Sequence, residues 1–188
     1  MRFRIAPSRI RLTVAALAAA ALVVAPAASA STSNSAKGND RATSHDISFI
    51  AMLVPHHQSA VEMAEVARAK ATNAEVRQLA AHIAGEQSGQ IRQMEAWLSR
   101  QGAKPEPPPA PVREMEQQDL QMLRSAEGAM VDRMFLMMMR PHHAQAVAEA
   151  IDELEHGRDR FALDVARTTK TDQSRELARM NDLLAALG

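Results

Sequence analysis

Apolar residues recur every three or four positions along most of the chain beyond residue 44, which is the spacing of an amphipathic helix. This pattern predicts two long helices, over 45–71 and 73–100, and then a short amphipathic helix over 112–127. Two more long helices are predicted over 129–155 and 159–187. Alanine, leucine, methionine and glutamate, which favour the helix, dominate these segments. We therefore expect an all-α protein.

Residues with specific turn chemistry mark where the helices begin and end. Ser44 is predicted to cap the first helix, and Thr72 or Asn73 the second, with Glu75 completing a capping box. Gly102 stands where a glycine commonly ends a helix. The first two helices are therefore expected to form an antiparallel hairpin with a short turn.

A proline-rich segment separates the two halves of the chain. Residues 104–111, KPEPPPAP, contain five prolines in eight positions, and proline lacks the backbone N–H that a helix interior requires. We expect this segment to be a stiff, extended linker that lies outside any helix.

The second half of the chain repeats the first without a gap, at an offset of 86 residues, as from His56 to His142. The positions of the first half that recur identically are Asp46, Phe49, Met52, Pro55, His56, His57, Ala60, Val61, Ala64, Ala80, Gln87, Ser88, Met94 and Leu98. A match that keeps its register across two helices and a turn indicates an internal duplication. The expected architecture is a four-helix bundle of two helical hairpins, repeat 1 over about 45–101 and repeat 2 over about 112–188, plus the short connecting helix.

The first 30 residues have the order of regions found in a secretory signal peptide. Four arginines precede a short apolar run, and Ala28-Ser29-Ala30 offers a cleavage site. The run is shorter than a spanning helix needs, although an uncleaved anchor is the alternative. We expect residues 31–44 to be a flexible lead-in and residues 45–188 to be the folded domain. The mature protein is expected to be exported to the periplasmic, cell-wall or extracellular space, without stable membrane insertion.

The amino-acid composition argues against two kinds of function, thiolate metal binding and nucleic-acid binding. The chain has no cysteine, which excludes disulfides and thiolate ligands. Without the four arginines of residues 1–30 it carries 18 basic against 22 acidic residues, a net charge of −4. This balance is not typical of a nucleic-acid-binding protein, and we expect no nucleic-acid partner.

The two Pro-His-His stretches, at 55–57 and 141–143, are the strongest functional signal. On the first helix, Met52, His56 and Met63 fall on one face. Thioether sulfur prefers Cu(I), and imidazole also suits copper. Three such donors on one face indicate a site for a soft metal ion.

Folding each hairpin at its turn adds donors from the next helix. Met94 comes level with Met52 and could close a site with Met52 and His56. His82 comes level with Met63 and could join it at the other end. The second repeat keeps this set only in part, because Glu149 and Thr168 stand where the first has Met63 and His82. We therefore expect two sites of unequal strength. The candidate ligands of the second site are Met138, Met139, His142, His143 and Met180.

The proline in each of these stretches has two interpretations. Pro55 and Pro141 would each remove one helical hydrogen bond and release the carbonyl four residues earlier, at Ala51 or Met137. A kinked but continuous helix would then present the histidines, and this is the arrangement we predict. The alternative is that each proline begins a fresh helix.

Interpretations without a copper site use the same residues. Methionine stripes often fill cores, so the alternative function is a structural or protein-interaction bundle. A metal-dependent oxidase is a weaker alternative, since only Glu153 and His156 have the spacing of a carboxylate di-metal site. Ser59 near His56 lacks the third group of a catalytic triad. We expect no enzymatic activity.

The repeated motifs resemble a known family. FIAMLVPHHQSAVEMA with EVRQLAAHIAGEQSGQIRQMEAWL, and DRMFLMMMRPHHAQAVAEA with DQSRELARMNDLL, are similar to the family called domain of unknown function 305, over about residues 45–187. The resemblance implies a ferritin-like four-helix bundle exported by bacteria, and the CopM-type members are periplasmic copper-binding proteins linked to copper resistance. It implies that copper or silver is bound by Met52, His56, His57, Met63 and Met94, and by Met138, His142, His143 and Met180. The departure at Glu149 makes the second set less complete.

These observations together predict an exported helical protein whose partner is a metal ion. Copper is the expected ion, Cu(I) in preference, with Cu(II) and Ag(I) as alternatives. The protein would sequester or buffer this ion in metal resistance or homeostasis. The sequence leaves open whether it forms a homodimer or passes copper to a transfer partner.

Overall fold

The computed structural model describes residues 42–188, and within them the protein is all-α, as predicted. Its helices are α1 (Ser44–Lys70), α2 (Ala74–Gln101), α3 (Ala110–Ser125), α4 (Ala129–His156) and α5 (Arg160–Ala186). The predicted signal peptide and most of the predicted lead-in lie outside the described residues. Within 42–188, no helix has both the length and the apolar character that crossing a membrane requires.

Each repeat forms a helical hairpin. α1 packs along α2, and α4 packs along α5. The two hairpins meet mainly through α1 and α4, and α3 lies against both of these helices. The two helices that carry the Pro-His-His stretches are therefore neighbours.

Side-chain caps and a glycine define the helix ends. The prediction that Ser44 caps α1 is wrong by one residue. The hydroxyl of Thr43 accepts from the Asp46 N–H at 3.3 Å, and the Asp46 carboxylate accepts from the Thr43 N–H at 2.6 Å, which completes a capping box. Asn73 caps α2, and Gly102 ends it with φ at +69°, a conformation that favours glycine.

Two buried aspartates tie the hairpins to each other. Asp46 on α1 accepts from both N–H groups of the 158–159 turn before α5, at 2.7 and 2.9 Å. Asp132, its equivalent on α4, accepts from both N–H groups of the 72–73 turn before α2, at 3.3 and 3.0 Å. Burial alone would raise the pKa of Asp46, but hydrogen bonds from Thr43 and the 158–159 turn together hold that pKa well below its usual range. The aspartate of each hairpin therefore accepts hydrogen bonds from the free N–H groups at the turn of the other hairpin.

The proline-rich linker is fastened to α1 at the proline. α1 runs unbroken through Pro55, and α4 through Pro141, so neither proline begins a fresh helix. Because Pro55 has no N–H, the carbonyl of Ala51 loses its usual helical donor. The N–H of Glu106 donates to that oxygen at 2.9 Å. The bond that the proline frees therefore holds the linker against the helix.

The linker is shorter than the sequence predicts. α3 begins at Ala110, so the expectation that all of 104–111 lies outside a helix is wrong at its last two residues. Pro111 fits there because the N–H groups of a first helical turn have no intrahelical acceptor.

The core consists of two hydrophobic clusters separated by a polar layer. One cluster joins the start of α1, the end of α2, the later part of α4 and the start of α5, and the other joins the opposite ends of these helices with α3. Between them, each long helix contributes polar residues that are buried or nearly so. This polar layer comprises His56, His57, Gln87, Gln90, His142, His143, Gln173 and Glu176. Buried polar groups are unfavourable unless they are paired, so the layer is the first place to look for function.

Candidate metal centre

Four imidazoles lie together in the polar layer, where α1 packs against α4. The ring centroids of His56 and His142 are 3.8 Å apart. Each of these rings is also 6.3 Å from the histidine that follows it, His57 or His143. Sequence reasoning assigned the two pairs to separate sites, one in each repeat. The structure brings all four rings into one group, which we call the imidazole cluster.

His57 and His143 are each oriented by an acceptor on the neighbouring helix. His57 Nε2–H donates to Gln90 Oε1 at 2.8 Å, and His143 Nε2–H donates to Glu176 Oε2 at 2.9 Å. Because amide and carboxylate oxygens only accept, the proton is on Nε2 in both rings, and Nδ1 keeps its lone pair. Metal-binding histidines are commonly oriented in this way.

The other ring nitrogens of the imidazole cluster are buried and have no hydrogen-bond partner within residues 42–188. They are Nδ1 and Nε2 of His56, Nδ1 of His57, Nδ1 and Nε2 of His142, and Nδ1 of His143. Each buried nitrogen without a partner costs stability. Packing gives no reason to gather so many of them, whereas a cation could pair with nitrogens of the two closest rings, His56 and His142.

Three rings of the cluster, those of His56, His57 and His142, are held in their uncharged form. Burial, with the nearby His57 and His143, lowers the pKa of His56 to about 3. Burial also lowers the pKa of His57 to about 4. Burial and the neighbouring His56 hold the pKa of His142 well below its usual value. Neutral imidazole is the form that ligates metals, so these three rings have no proton to displace near pH 7.

Met52 is the methionine that the structure places in contact with the same cavity as the cluster. It is 46% exposed and, with His56, lines a cavity of 440 Å³ between α1, α3, α4 and the linker. Glu149 also lines this cavity. Glu149, which replaces Met63 in repeat 2, therefore lines the same cavity as Met52 and His56 of repeat 1. The Met52 thioether is a soft donor on the surface from which His56 is reached.

The remaining candidate methionines belong to the hydrophobic clusters. Met63, Met138, Met139 and Met180 lie in or against one cluster, and Met94 lies in the other. Met94 is fully buried while Met52 is half-exposed, so the two methionines aligned by the hairpin have different surroundings. Methionine fills irregular core space well, and packing accounts for the burial of this group.

His82 and Met63 differ in their exposure to solvent. The His82 side chain is 63% exposed, and its Nε2 lies 3.1 Å from Glu86 Oε2 and 3.8 Å from Glu176 Oε1. Met63, in contrast, is buried. Because Glu176 also accepts from His143, this carboxylate connects an exposed histidine with the imidazole cluster. The ligand atoms of His82, Glu86 and Glu176 all lie within 4.8 Å of one another.

Sequence reasoning missed the acceptors behind the histidines. Gln90 and Glu176 are equivalent positions of the two repeats, and each faces a histidine 33 residues earlier. Their residue types differ, so a search for identical positions passes over them. Gln87 and Gln173 do recur identically, and both are buried in the polar layer. A polar residue conserved between the repeats on the inner helix face is the signal that points to this layer.

The chain is thus an all-α protein built from a duplicated helical hairpin, with histidines buried where the two copies meet. The profile of the family described as domain of unknown function (DUF305) matches residues 46–184. The chain therefore belongs to the DUF305 family, as its motifs predict. No curated protein matches the sequence.

Solved structures of DUF305 proteins are similar to this chain. A DUF305 protein from Streptomyces coelicolor has 29% identity and a TM-score of 0.70, over 80% of this chain and 96% of its own. CopM in its Cu(I)-bound form has 32% identity and a TM-score of 0.65, over 75% of this chain and 96% of its own. CopM in its Cu(II)-bound form has 31% identity and a TM-score of 0.68, over 76% of this chain and 97% of its own. The relatives thus include a protein that binds copper.

Proposed function

We propose that this DUF305 protein binds copper, chiefly Cu(I), at the imidazole cluster, and that it sequesters or buffers the ion outside the cytoplasm. One observation carries the proposal: four imidazoles meet where the repeats join, with buried ring nitrogens that no described residue pairs with. The similarity to CopM in its Cu(I)- and Cu(II)-bound forms supports it.

The donor set favours a soft ion over a hard one. Neutral imidazoles ligate both Cu(I) and Cu(II), and a thioether such as that of Met52 shifts the preference toward Cu(I). Met138 and Met139 precede His142 and His143 by one helical turn, which places each pair on one helix face. In the structure both side chains pack in or against a hydrophobic cluster, so Met52 is the thioether on which this preference rests. Ag(I) is expected to bind in the manner of Cu(I).

The two halves of the cluster are expected to bind with different strengths. His57 has the neutral Gln90 behind it, whereas His143 has the Glu176 carboxylate. A carboxylate acceptor makes the opposite ring nitrogen a stronger donor. Repeat 2 lacks the equivalents of Met63 and His82, but its imidazole is the better ligand of the two.

The cysteine-free composition suits a role outside the cytoplasm. Thiolate ligands are prone to disulfide formation in oxidising compartments, whereas imidazole and thioether ligands form no disulfides. The N-terminal arginines, apolar run and Ala-Ser-Ala sequence support export. The proposed role is therefore metal resistance or homeostasis by binding, with no catalytic step.

Titration of the purified protein with Ag(I) or Cu(I), followed by native mass spectrometry, tests the proposal. We expect a discrete, integer number of bound ions in the parent protein. The variant His56→Ala/His142→Ala should lose them or bind at least about tenfold more weakly, because it removes the two closest rings. The same spectra show whether the protein is a monomer or a homodimer.

Met115→Ala/Met122→Ala is the control. It removes two thioethers of the kind that Ag(I) prefers, but both are exposed side chains of α3 that belong to neither the imidazole cluster nor its cavity. This variant should bind Ag(I) as the parent does, and far-UV circular dichroism should show that both variants keep their helices. Weak, non-integer uptake that is equal in all three proteins would overturn the copper function, and would leave a structural or interaction bundle.

A further inference from the structure

A second group of metal-binding side chains lies where the start of α1 meets the end of α4. It consists of His45 in the first turn of α1, and Asp152, Glu153 and His156 at the end of α4. The ligand atoms of His45, Asp152 and His156 all lie within 4.8 Å of one another. We call this group the terminal cluster.

Three members of the terminal cluster, His45, Asp152 and His156, have donor atoms close enough to share a cation, and Glu153 adjoins them through His45. His45 Nε2 lies 3.3 Å from Glu153 Oε2 and 3.5 Å from Asp152 Oδ2. His156 Nδ1 lies 3.1 Å from Asp152 Oδ1 and also donates to the Asp152 backbone carbonyl at 3.0 Å, so a bound ion would have to displace that hydrogen bond or use Nε2. Donor atoms that share one tetrahedral ion at the usual zinc-ligand distances lie about 3.3 Å from each other.

Glu153 is the member whose position most needs an explanation. Its side chain is fully buried, and neither carboxylate oxygen accepts a hydrogen bond from any residue in 42–188. Gly157 makes the space for it, because a Cβ at that position would collide with the carboxylate. A buried carboxylate is costly unless a cation or a set of donors pairs with it.

The fold does not require polar groups at this place. At the offset of 86 residues, the four positions of the terminal cluster are apolar or basic in the other repeat: Val131, Val66, Ala67 and Lys70. Val131 and Ala67 are fully buried in a hydrophobic cluster. The equivalent ends of the helices in the other repeat are therefore joined mainly by apolar packing. Packing alone does not explain why the terminal cluster is polar.

We propose that the terminal cluster is a second cation site, separate from the imidazole cluster, which takes a borderline divalent cation of the Zn(II) type. Two imidazoles and two carboxylates form a nitrogen and oxygen donor set that suits such an ion. A cavity of 310 Å³ bordered by His45, Asp152 and Met52 provides access from solvent. The proposal does not depend on copper binding at the imidazole cluster.

The test uses the whole protein after chelator treatment and dialysis. Zn(II) binding is measured by isothermal titration calorimetry, and Co(II) binding by visible absorption. The parent should take up one Zn(II) more per chain than Asp152→Asn, and so should the control Asp164→Asn. Both aspartates are about equally exposed, at 60% and 59%, but Asp164 lies on α5, where it pairs with Arg167. The Asp152 substitution removes a surface ligand and leaves the core intact.

Two double variants separate this site from the imidazole cluster. His45→Ala/His156→Ala should lose the same Zn(II) ion and its Co(II) absorption, whereas His56→Ala/His142→Ala should keep both. If Asp152→Asn binds as many Zn(II) ions as the parent, with unchanged affinity, the proposal is overturned, and the contacts are only ion pairs. It is also overturned if the parent binds no Zn(II), or if only His56→Ala/His142→Ala loses the ion. The Ag(I) titration tests the imidazole cluster by itself, so none of these Zn(II) results changes its interpretation.

Discussion

Gln90 and Glu176 occupy equivalent places behind the two buried histidines, yet only one of them is charged. A carboxylate that accepts the Nε2–H of His143 raises the basicity of its Nδ1, and outer acceptors of this kind commonly affect metal affinity by about 10- to 100-fold. We therefore expect Glu176→Gln to bind Cu(I) about tenfold more weakly than the parent. Competition against a chromogenic Cu(I) chelator measures the difference.

The reverse substitution is the control for that prediction. Gln90→Glu gives His57 the acceptor that His143 has, and it should increase Cu(I) affinity. If both substitutions change affinity in the same direction, the acceptors act through general charge or stability and do not tune the histidines.

At the scale of single residues, the sequence predicts the histidines better than it predicts their surroundings. His56, His57, His142 and His143 stand out because they recur with a proline before them. The role of Glu176 depends on which residue of α5 faces His143, and straight-helix geometry leaves an error of about one turn. His45 is harder still, because its partners Asp152 and Glu153 are more than 100 residues away and have no counterpart in repeat 1.

Helix α1 and the linker are coupled by the bond between the Glu106 N–H and the Ala51 carbonyl. Glu106→Pro removes this donor, while Glu106→Ala removes only the side chain. Because Ala51 is buried, its carbonyl would be left without a partner at a cost of about 1–3 kcal/mol. We expect urea denaturation to show this loss for the proline variant, with the alanine variant within about 0.5 kcal/mol of the parent. Equal stability of the two variants would show that the linker is not held there.

Elements with a clear period are predicted well, and those without one are not. Helical periodicity locates all five helices to within about two residues, since each has an apolar face to bury. The cap of α1 was missed because Ser44 and Thr43 are both good caps, and Asp46 three positions after Thr43 decides between them. The linker has no period at all, so its path across α1 follows only from the carbonyl that Pro55 frees.

For the molecule as a whole, the imidazole cluster should make the metal-free protein sensitive to acid. The pKa values of His56 and His57 are about 3 and 4 in the folded protein, against 6.5 as the ordinary value. As pH falls below 6.5, the unfolded chain takes up protons that the folded chain excludes, so stability decreases. The loss at pH 5 is on the order of 2 kcal/mol for each of these imidazoles.

Urea denaturation of chelator-treated protein at pH 7.5 and pH 5 measures this dependence. His56→Ala/His142→Ala should lose less stability between the two pH values than the parent, because two of the buried imidazoles are gone. An equal loss in both proteins would place the acid sensitivity elsewhere.

The way the two hairpins pack together was not predictable from the sequence, since periodicity identifies the inner face of each helix but not which inner faces meet. For that reason the sequence indicated two sites where the structure has one cluster.

The exchanged carboxylates of Asp46 and Asp132 have a consequence for the origin of the chain. A solitary repeat would bury an anion that has no turn of its own to cap, and its own turn would lack an acceptor. Two identical repeats facing each other would satisfy both needs, so the smallest complete ancestor of this fold is a symmetric pair of short chains. Two repeats joined in one chain need not be identical. Here only one of the two buried histidines has a glutamate behind it, and only one end of the pair carries the histidines and acidic side chains of the terminal cluster.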